Sequence, residues 1–322
     1  MKLAALFVGL VMVAGCEKAS ENKPSGAVVA DETAMLQYLP AGSSALFGGN
    51  YMQMRSYLAN SPINKLFDKV NAQSPGFSEW MKCWSEELPK LAMIGSVRMN
   101  LGKLEMRYVM KGVDIDALER CSAKAKFPTV KSDDKKYLSY EMTTMGQTLK
   151  GGYLVVGDNI IYSRQTMALG GVPSVAPVAR EDLASDLQSL GGKTAAMDTQ
   201  LVQAMADLDR TSAMWFVGSG ANTPIADKVG LVKGTFDIKD GLAIDVRVEM
   251  KDSALADKVE QGVAEAKKRS DSIGGAAKDV IEAVKVDRKG DWIRVQLSID
   301  NAKLAALIDQ VTPMMGMFGA RP

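Results

Sequence analysis

The chain contains no histidine among its 322 residues. That removes the side chain whose ordinary pKa lies nearest neutral pH, and with it the commonest transition-metal ligand. His-based nucleophile triads and histidine-containing zinc sites are excluded, while a Ser-Lys dyad or paired carboxylates would survive. Cysteine is scarce, at three residues. A charge surplus is missing too: 39 Lys and Arg against 38 Asp and Glu leave a formal net charge of +1. An electrostatic nucleic-acid binder carries a clustered basic excess, and so does a polybasic lipid-binding patch. No nucleic-acid partner is therefore expected. Hydrophobic content of 47% and charged content of 24% are ordinary for globular chains, so a sizeable core can form in one large domain or two smaller ones.

What is present begins at the N-terminus. Lys2 supplies a positive start, Leu3 to Ala14 an apolar stretch, and Val13-Ala14-Gly15-Cys16 a small-residue ending on cysteine. The apolar stretch falls short of the ~20 residues that span a bilayer. This is the layout of an export signal, and its ending resembles the lipobox of bacterial lipoproteins; the alternative is an ordinary secretory signal with an incidental cysteine. The resemblance implies that residues 1–15 are a removed signal peptide and that Cys16 is the lipidated mature N-terminus. It implies attachment to a membrane through lipid on Cys16. Glu17, rather than Asp, follows the cysteine, which in such lipoproteins favours the outer membrane, facing the periplasm or the cell surface. Residues 16–33, polar and small, read as a flexible tether.

With Cys16 acylated, Cys83 and Cys121 remain, and in an oxidising compartment two such cysteines read as a disulfide. Phe77, Trp80, Trp84 and Leu88 form an apolar stripe at helical spacing with Cys83 beside it, and Ile115, Leu118 and Cys121 share another helical face. Both thiols are expected in the core, where they meet or stay as two unpaired buried thiols.

The body reads as if written twice. Asn60-Ser61-Pro62-Ile63 and Phe67-Asp68-Lys69-Val70 return as Asn222-Thr223-Pro224-Ile225 and Ala226-Asp227-Lys228-Val229. Small residues lead into an apolar strand before each, and a hairpin follows each, from Gly95 to Lys111 and from Gly234 to Lys251. Leu104, Met106, Tyr108 and Met110 alternate with Glu105, Arg107, Val109 and Lys111. Leu242 to Met250 and Ile293 to Ile299 alternate likewise. Period-two alternation predicts antiparallel strands with one buried and one wet face. Asp240-Gly241 and Leu101-Gly102 are the turn signals, and Asp114 and Asp300 are candidate helix N-caps. The fold class expected is α+β: two similar halves, each an antiparallel sheet with helices packed on one face, over residues 34–170 and 171–322. The Leu169–Ala179 stretch is the expected junction. The Leu39-Pro40-Ala41 lead into the first strand, together with Cys83 and Cys121, resembles a group of uncharacterised Gram-negative lipoproteins with duplicated bodies; the resemblance covers mainly residues 34 to 125.

Candidate chemistry is sparse. Met314-Met315-x-Met317 has the thioethers that suit Cu(I), but other methionines sit at core positions of strands, where they fill gaps. Lys131-Ser132-Asp133-Asp134-Lys135-Lys136 reads as a solvated turn rather than a calcium loop. Gly218-Ser219-Gly220 lacks the frame of a nucleophile turn. Trp292 alternates onto a wet face, and Phe318 ends an uncharged tail. No catalytic residue, no metal site and no cofactor is expected, and no enzyme. The expected function is a membrane-anchored, non-catalytic envelope lipoprotein that binds or scaffolds a protein partner. The alternative is a periplasmic carrier or chaperone for a hydrophobic ligand.

Overall fold

A computed structural model describes residues 32, 34–50, 54, 57, 61–64, 75–88, 91–100, 103–144, 147–168, 176–197, 199–220 and 226–318. Residues 1–15, Cys16, nearly all of the tether, Leu101-Gly102, residues 169–175 and much of the repeated Asn-x-Pro-Ile segments lie outside the described residues, as do the side chains of Met314, Met315, Met317 and Phe318.

In chain order, β1 (Ala45–Asn50) precedes α1 (Pro75–Glu87), the hairpin β2 (Ala92–Asn100) and β3 (Lys103–Lys111), and α2 (Ile115–Lys124). Four strands follow: β4 (Thr129–Lys131), β5 (Tyr137–Thr144), β6 (Gln147–Gly157) and β7 (Ile160–Ala168). Next come α3 (Arg180–Ser189), α4 (Thr199–Ala206) and β8 (Met214–Ser219). A second hairpin, β9 (Val229–Asp237) and β10 (Gly241–Met250), leads into α5 (Ser253–Ile273) and α6 (Gly275–Ala283). The chain closes with β11 (Lys285–Lys289), β12 (Trp292–Asp300) and α7 (Asn301–Phe318).

Local chemistry sets these boundaries. Asp114 caps α2 by accepting the Ala117 amide at 2.6 Å, and Asp300 accepts the Lys303 amide at 2.8 Å at the start of α7. The β9–β10 turn resumes at Gly241, whose φ of 142° is open to glycine and strained for other residues.

All twelve strands form one sheet, in the order β11-β12-β10-β9-β8-β1-β2-β3-β7-β6-β5-β4, with every neighbour antiparallel. The expectation of a sheet in each half is corrected here, because β1 pairs with β8 and merges the two sets of strands, with Phe47 opposite Phe216. Pairing those edges satisfies backbone groups that would otherwise be left open. One row of side chains shows how the faces fit. Phe47 lies over Gly95 and Phe216 over Gly234, each pair directly opposite in its ladder. A methyl group on Gly95 would come within 2.3 Å of Phe47 Cζ, and one on Gly234 within 2.9 Å of the Phe216 ring. Phe47 in turn meets Tyr108 edge-on, with centroids 5.6 Å apart.

Helices cover both faces of the β1–β7 region, which corrects the expectation of helices on one face. On the first face, Trp80, Cys83 and Trp84 of α1 and Leu118 and Cys121 of α2 pack with Met110, Leu138, Tyr140 and Tyr153. On the second face, Leu183 of α3 and Leu201 and Met205 of α4 pack with Leu46, Val109, Leu154, Tyr162 and Trp215. The side of β3 expected to be wet is therefore covered: Val109 is fully buried and Arg107 nearly so. Residues distant in sequence supply that cover, so strand periodicity cannot report it. Over β9–β12 the apolar face matches its reading, with Leu255 and Val259 of α5 against Met250 and Ile293, and Leu304 and Ile308 of α7 against Leu242 and Ile299.

Candidate functional site

Side chains able to do chemistry are mostly engaged with one another. Among the described residues no group of three or more His, Cys, Asp or Glu side chains converges as a metal site would require. In the Lys131–Lys136 turn, Lys131 Nζ binds Asp116 at 2.6 Å and Glu119 at 2.5 Å, while Asp134 accepts from Ser132 Oγ at 2.5 Å and Arg180 at 2.8 Å. The Ser132 hydrogen bond, with Arg180 and the Lys136 amide, draws the Asp134 pKa down to about 2. The turn is therefore a cross-linked corner that ties β4 to α2 and the β4–β5 turn to α3. Ser219 ends β8, where its amide donates to the Ser44 carbonyl at 2.8 Å.

Cys83 and Cys121 are joined across α1 and α2, with Cα atoms 5.2 Å apart, inside the first-face core. The range of separations that a disulfide accepts includes this value. Around them the core is rich in rings: Trp80 and Trp84 lie 4.2 Å apart, and Tyr140 stacks on Tyr153 at 5.0 Å. Burial pushes the Tyr108, Tyr140 and Tyr153 hydroxyls up in pKa, so they stay neutral.

Where the tether would enter the body, Glu32 is buried and pairs with Arg210. Burial raises its pKa, opposed by Arg210 and by a hydrogen bond from Trp215. The start of the described body is thus fastened to β8 in the middle of the sheet.

Two surface features remain, both on the second face. The first is an open groove of about 540 Å³ between β6 and α3, lined by Tyr38, Leu154, Val156, Ala184, Leu187 and Thr194, among others. Its volume falls within the range of small-molecule sites. Apolar side chains dominate its walls, and Gln37 and Thr194 add an amide and a hydroxyl.

The second is charged. Arg107 on β3 lies directly opposite Arg164 on β7. Like charges so placed repel, and α3 supplies the counter-charge. Asp186 accepts Arg164 Nη1 at 3.1 Å on both oxygens, takes the Tyr162 hydroxyl at 3.1 Å, and lies 3.5 Å from Arg107 Nε. Asp182, one turn earlier, lies 3.6 Å from Arg164, and Glu105 lies 3.2 Å from Arg107. Burial raises the Tyr162 pKa, and the Asp186 charge adds to it. Over β10 and β12 the same second face carries Arg247 directly opposite Arg294, with Asp245 bridging them at 3.4 Å and 2.5 Å. Trp292, the wet-face aromatic, is half-buried and holds Lys233 Nζ 5.1 Å from its ring centroid, while Lys233 also binds Asp207 at 3.0 Å. A cation over an indole face is attracted by the ring quadrupole, which accounts for an aromatic in that position.

Sequence reasoning found the cysteine pair and Trp292. It missed the groove and α3. A signal for α3 existed: Asp182 and Asp186, one turn apart, flank Leu183, and Leu187 follows.

No family model matches this sequence, and no curated protein matches it. A solved structure described as "Structure of crystal form I of TP0453" aligns with 86% of this chain and 97% of that chain, at 10% identity and a TM-score of 0.46.

Proposed function

We propose that the chain is a lipid-anchored, non-catalytic binding module of the bacterial cell envelope, docking a protein partner in the groove beside α3. The observation that carries the reading is the contrast between the interior and that groove. Both faces of the β1–β7 sheet are filled by side chains, whereas the groove is open and apolar. Absence of histidine and a formal charge near zero support a role in binding rather than acid–base catalysis or nucleic-acid contact. The lipobox-like Val13-Ala14-Gly15-Cys16 supports an anchor at Cys16, and the polar residues after it support a tether. Outer-membrane placement rests on Glu17.

We also read the body as an internal duplication. Support comes from the like order of β1-β2-β3 and β8-β9-β10 outward from the centre, the paired Phe47/Gly95 and Phe216/Gly234, and the Asp114 and Asp252 caps that follow each hairpin.

A second reading, a carrier for a hydrophobic ligand, is favoured by the lining of the groove itself. One experiment separates the two: a photo-crosslinking amino acid at Gln37 of the full-length protein in living cells, with adducts identified by mass. A protein adduct that disappears in a Leu187→Gln variant supports the binding module. An adduct of lipid mass supports the carrier, and no adduct sinks both.

A further inference from the structure

We infer that the second face of β10 and β12 is a docking site for an acidic amphipathic helix of a partner protein. The protein shows on its own β3 and β7 what such a face binds. There, Glu105-x-Arg107 lies beside Tyr162-x-Arg164, with the two arginines opposite each other. On the neighbouring set of strands, Asp245-x-Arg247 lies beside Trp292-x-Arg294, again with the arginines opposite each other. Acid, two arginines and an aromatic occupy corresponding ladder positions.

The two constellations differ in what lies over them. Helix α3 brings Asp182 and Asp186 onto Arg164 and Arg107, and seats Leu183 between them in the second-face core. The arginine side chains there are 11% and 20% exposed. Arg247 and Arg294 are 35% and 41% exposed; they share the carboxylate of Asp245, and Asp287 on the edge strand β11 lies opposite Arg294. Among the described residues, α5 and α7 pack against β10 and β12 through Val248, Met250 and Leu242, which belong to the opposite face. Among the described residues no helix brings carboxylates onto the exposed pair as α3 does onto its counterpart, and charge complementarity assigns the occupant: a helix with Asp or Glu at i and i+4 and an apolar residue between them. Such a helix neutralises two arginines that otherwise repel across the ladder. Trp292, half-buried with Lys233 over its ring, adds apolar surface two residues from Arg294.

This site is separate from the groove at Gln37, so the crosslinking experiment and the following one succeed or fail independently. The probe is a fluorescein-labelled peptide of residues 177–191 carrying Ser185→Lys, whose amine is joined to the Glu181 carboxyl as a lactam with loss of water, titrated against the full-length protein by fluorescence anisotropy. Saturable binding is expected. It weakens at least tenfold for the Arg247→Glu/Arg294→Glu protein, and at least tenfold for the Asp182→Lys/Asp186→Lys peptide. The reversed peptide and the reversed protein together recover most of the affinity. Far-UV circular dichroism and the urea midpoint verify that the variant protein is folded, and Arg247→Gln/Arg294→Gln replaces it otherwise. Three results overturn the inference: no saturable binding, binding indifferent to the arginines, or no recovery in the reversed pair. Binding of phosphatidylglycerol vesicles through the same arginines, without peptide binding, overturns it as well and makes the face a membrane contact.

Discussion

Replacing Asp186 by Ala removes one carboxylate that serves three groups. Arg164 loses both 3.1 Å hydrogen bonds, the Tyr162 hydroxyl loses its acceptor, and Arg107 loses one of its two counter-charges, keeping Glu105 at 3.2 Å. What remains is two guanidiniums facing each other across β3 and β7 under the cover of α3, with the more exposed Glu105 and Asp182 as their only carboxylates among the described residues. Breaking a buried pair costs ~3–5 kcal/mol because the survivor is left desolvated, whereas an exposed pair is worth ~0.2–1 kcal/mol. The Asp186 and Arg164 side chains are 18% and 20% exposed, which places this site nearer the buried limit, at about 2–3 kcal/mol. The molecule contains its own control. Asp245→Ala removes the bridge between Arg247 and Arg294, the same chemistry with arginines 35% and 41% exposed, and is expected to cost under ~1 kcal/mol. The assay is urea unfolding of both variants beside wild type, with the midpoint falling at unchanged slope. Added salt should recover part of the Asp186→Ala loss, since it screens the repulsion between Arg107 and Arg164. If Asp186→Ala costs under ~1 kcal/mol, or Asp245→Ala costs as much, the argument from burial is refuted.

Three further outcomes are expected. Cys83→Ser/Cys121→Ser opens a loop with a sequence separation of 38, and chain entropy alone predicts a loss of about 4 kcal/mol. Equal urea midpoints with and without reductant would show that the α1–α2 packing suffices without the bond. Gly95→Ala places a methyl group 2.3 Å from Phe47 Cζ, so overpacking should cost about 1–3 kcal/mol; a thermal midpoint equal to wild type would mean that the Phe47 ring moves freely. Finally, NMR should find Asp134 titrating near pH 2. Its pKa is depressed in the folded state, so its contribution is present above the ordinary carboxylate range and is lost as pH falls toward 2. Ser132→Ala should move the midpoint up; an unmoved midpoint would remove the hydroxyl as the leading cause.

How much was legible in the sequence differs from element to element. The hairpins β2–β3 and β9–β10 and the caps at Asp114 and Asp300 were readable, because each depends on residues two to four positions apart. The cysteine pair was readable because two helical stripes pointed both sulfurs inward. Arg107 was read as solvent-facing on the same grounds of alternation, and there the reading failed. Alternation tells which residues share a face and is silent about what covers it. Of the two surface sites, Trp292 could be picked out as a wet-face aromatic. The groove at Tyr38 and Leu187 could not, since its walls come from separate stretches of chain.

By itself, then, the sequence determined the α+β class, the strand faces, the helix starts and the inward aim of Cys83 and Cys121, all set by local periodicity and capping. The tertiary structure alone decided that β1 and β8 join the twelve described strands into one sheet, that α3 buries one arginine pair, and that the matching pair on β10 and β12 stays partly exposed. Those outcomes depend on which distant segments meet, and a desolvated charge is tolerated only where such a segment brings its partner.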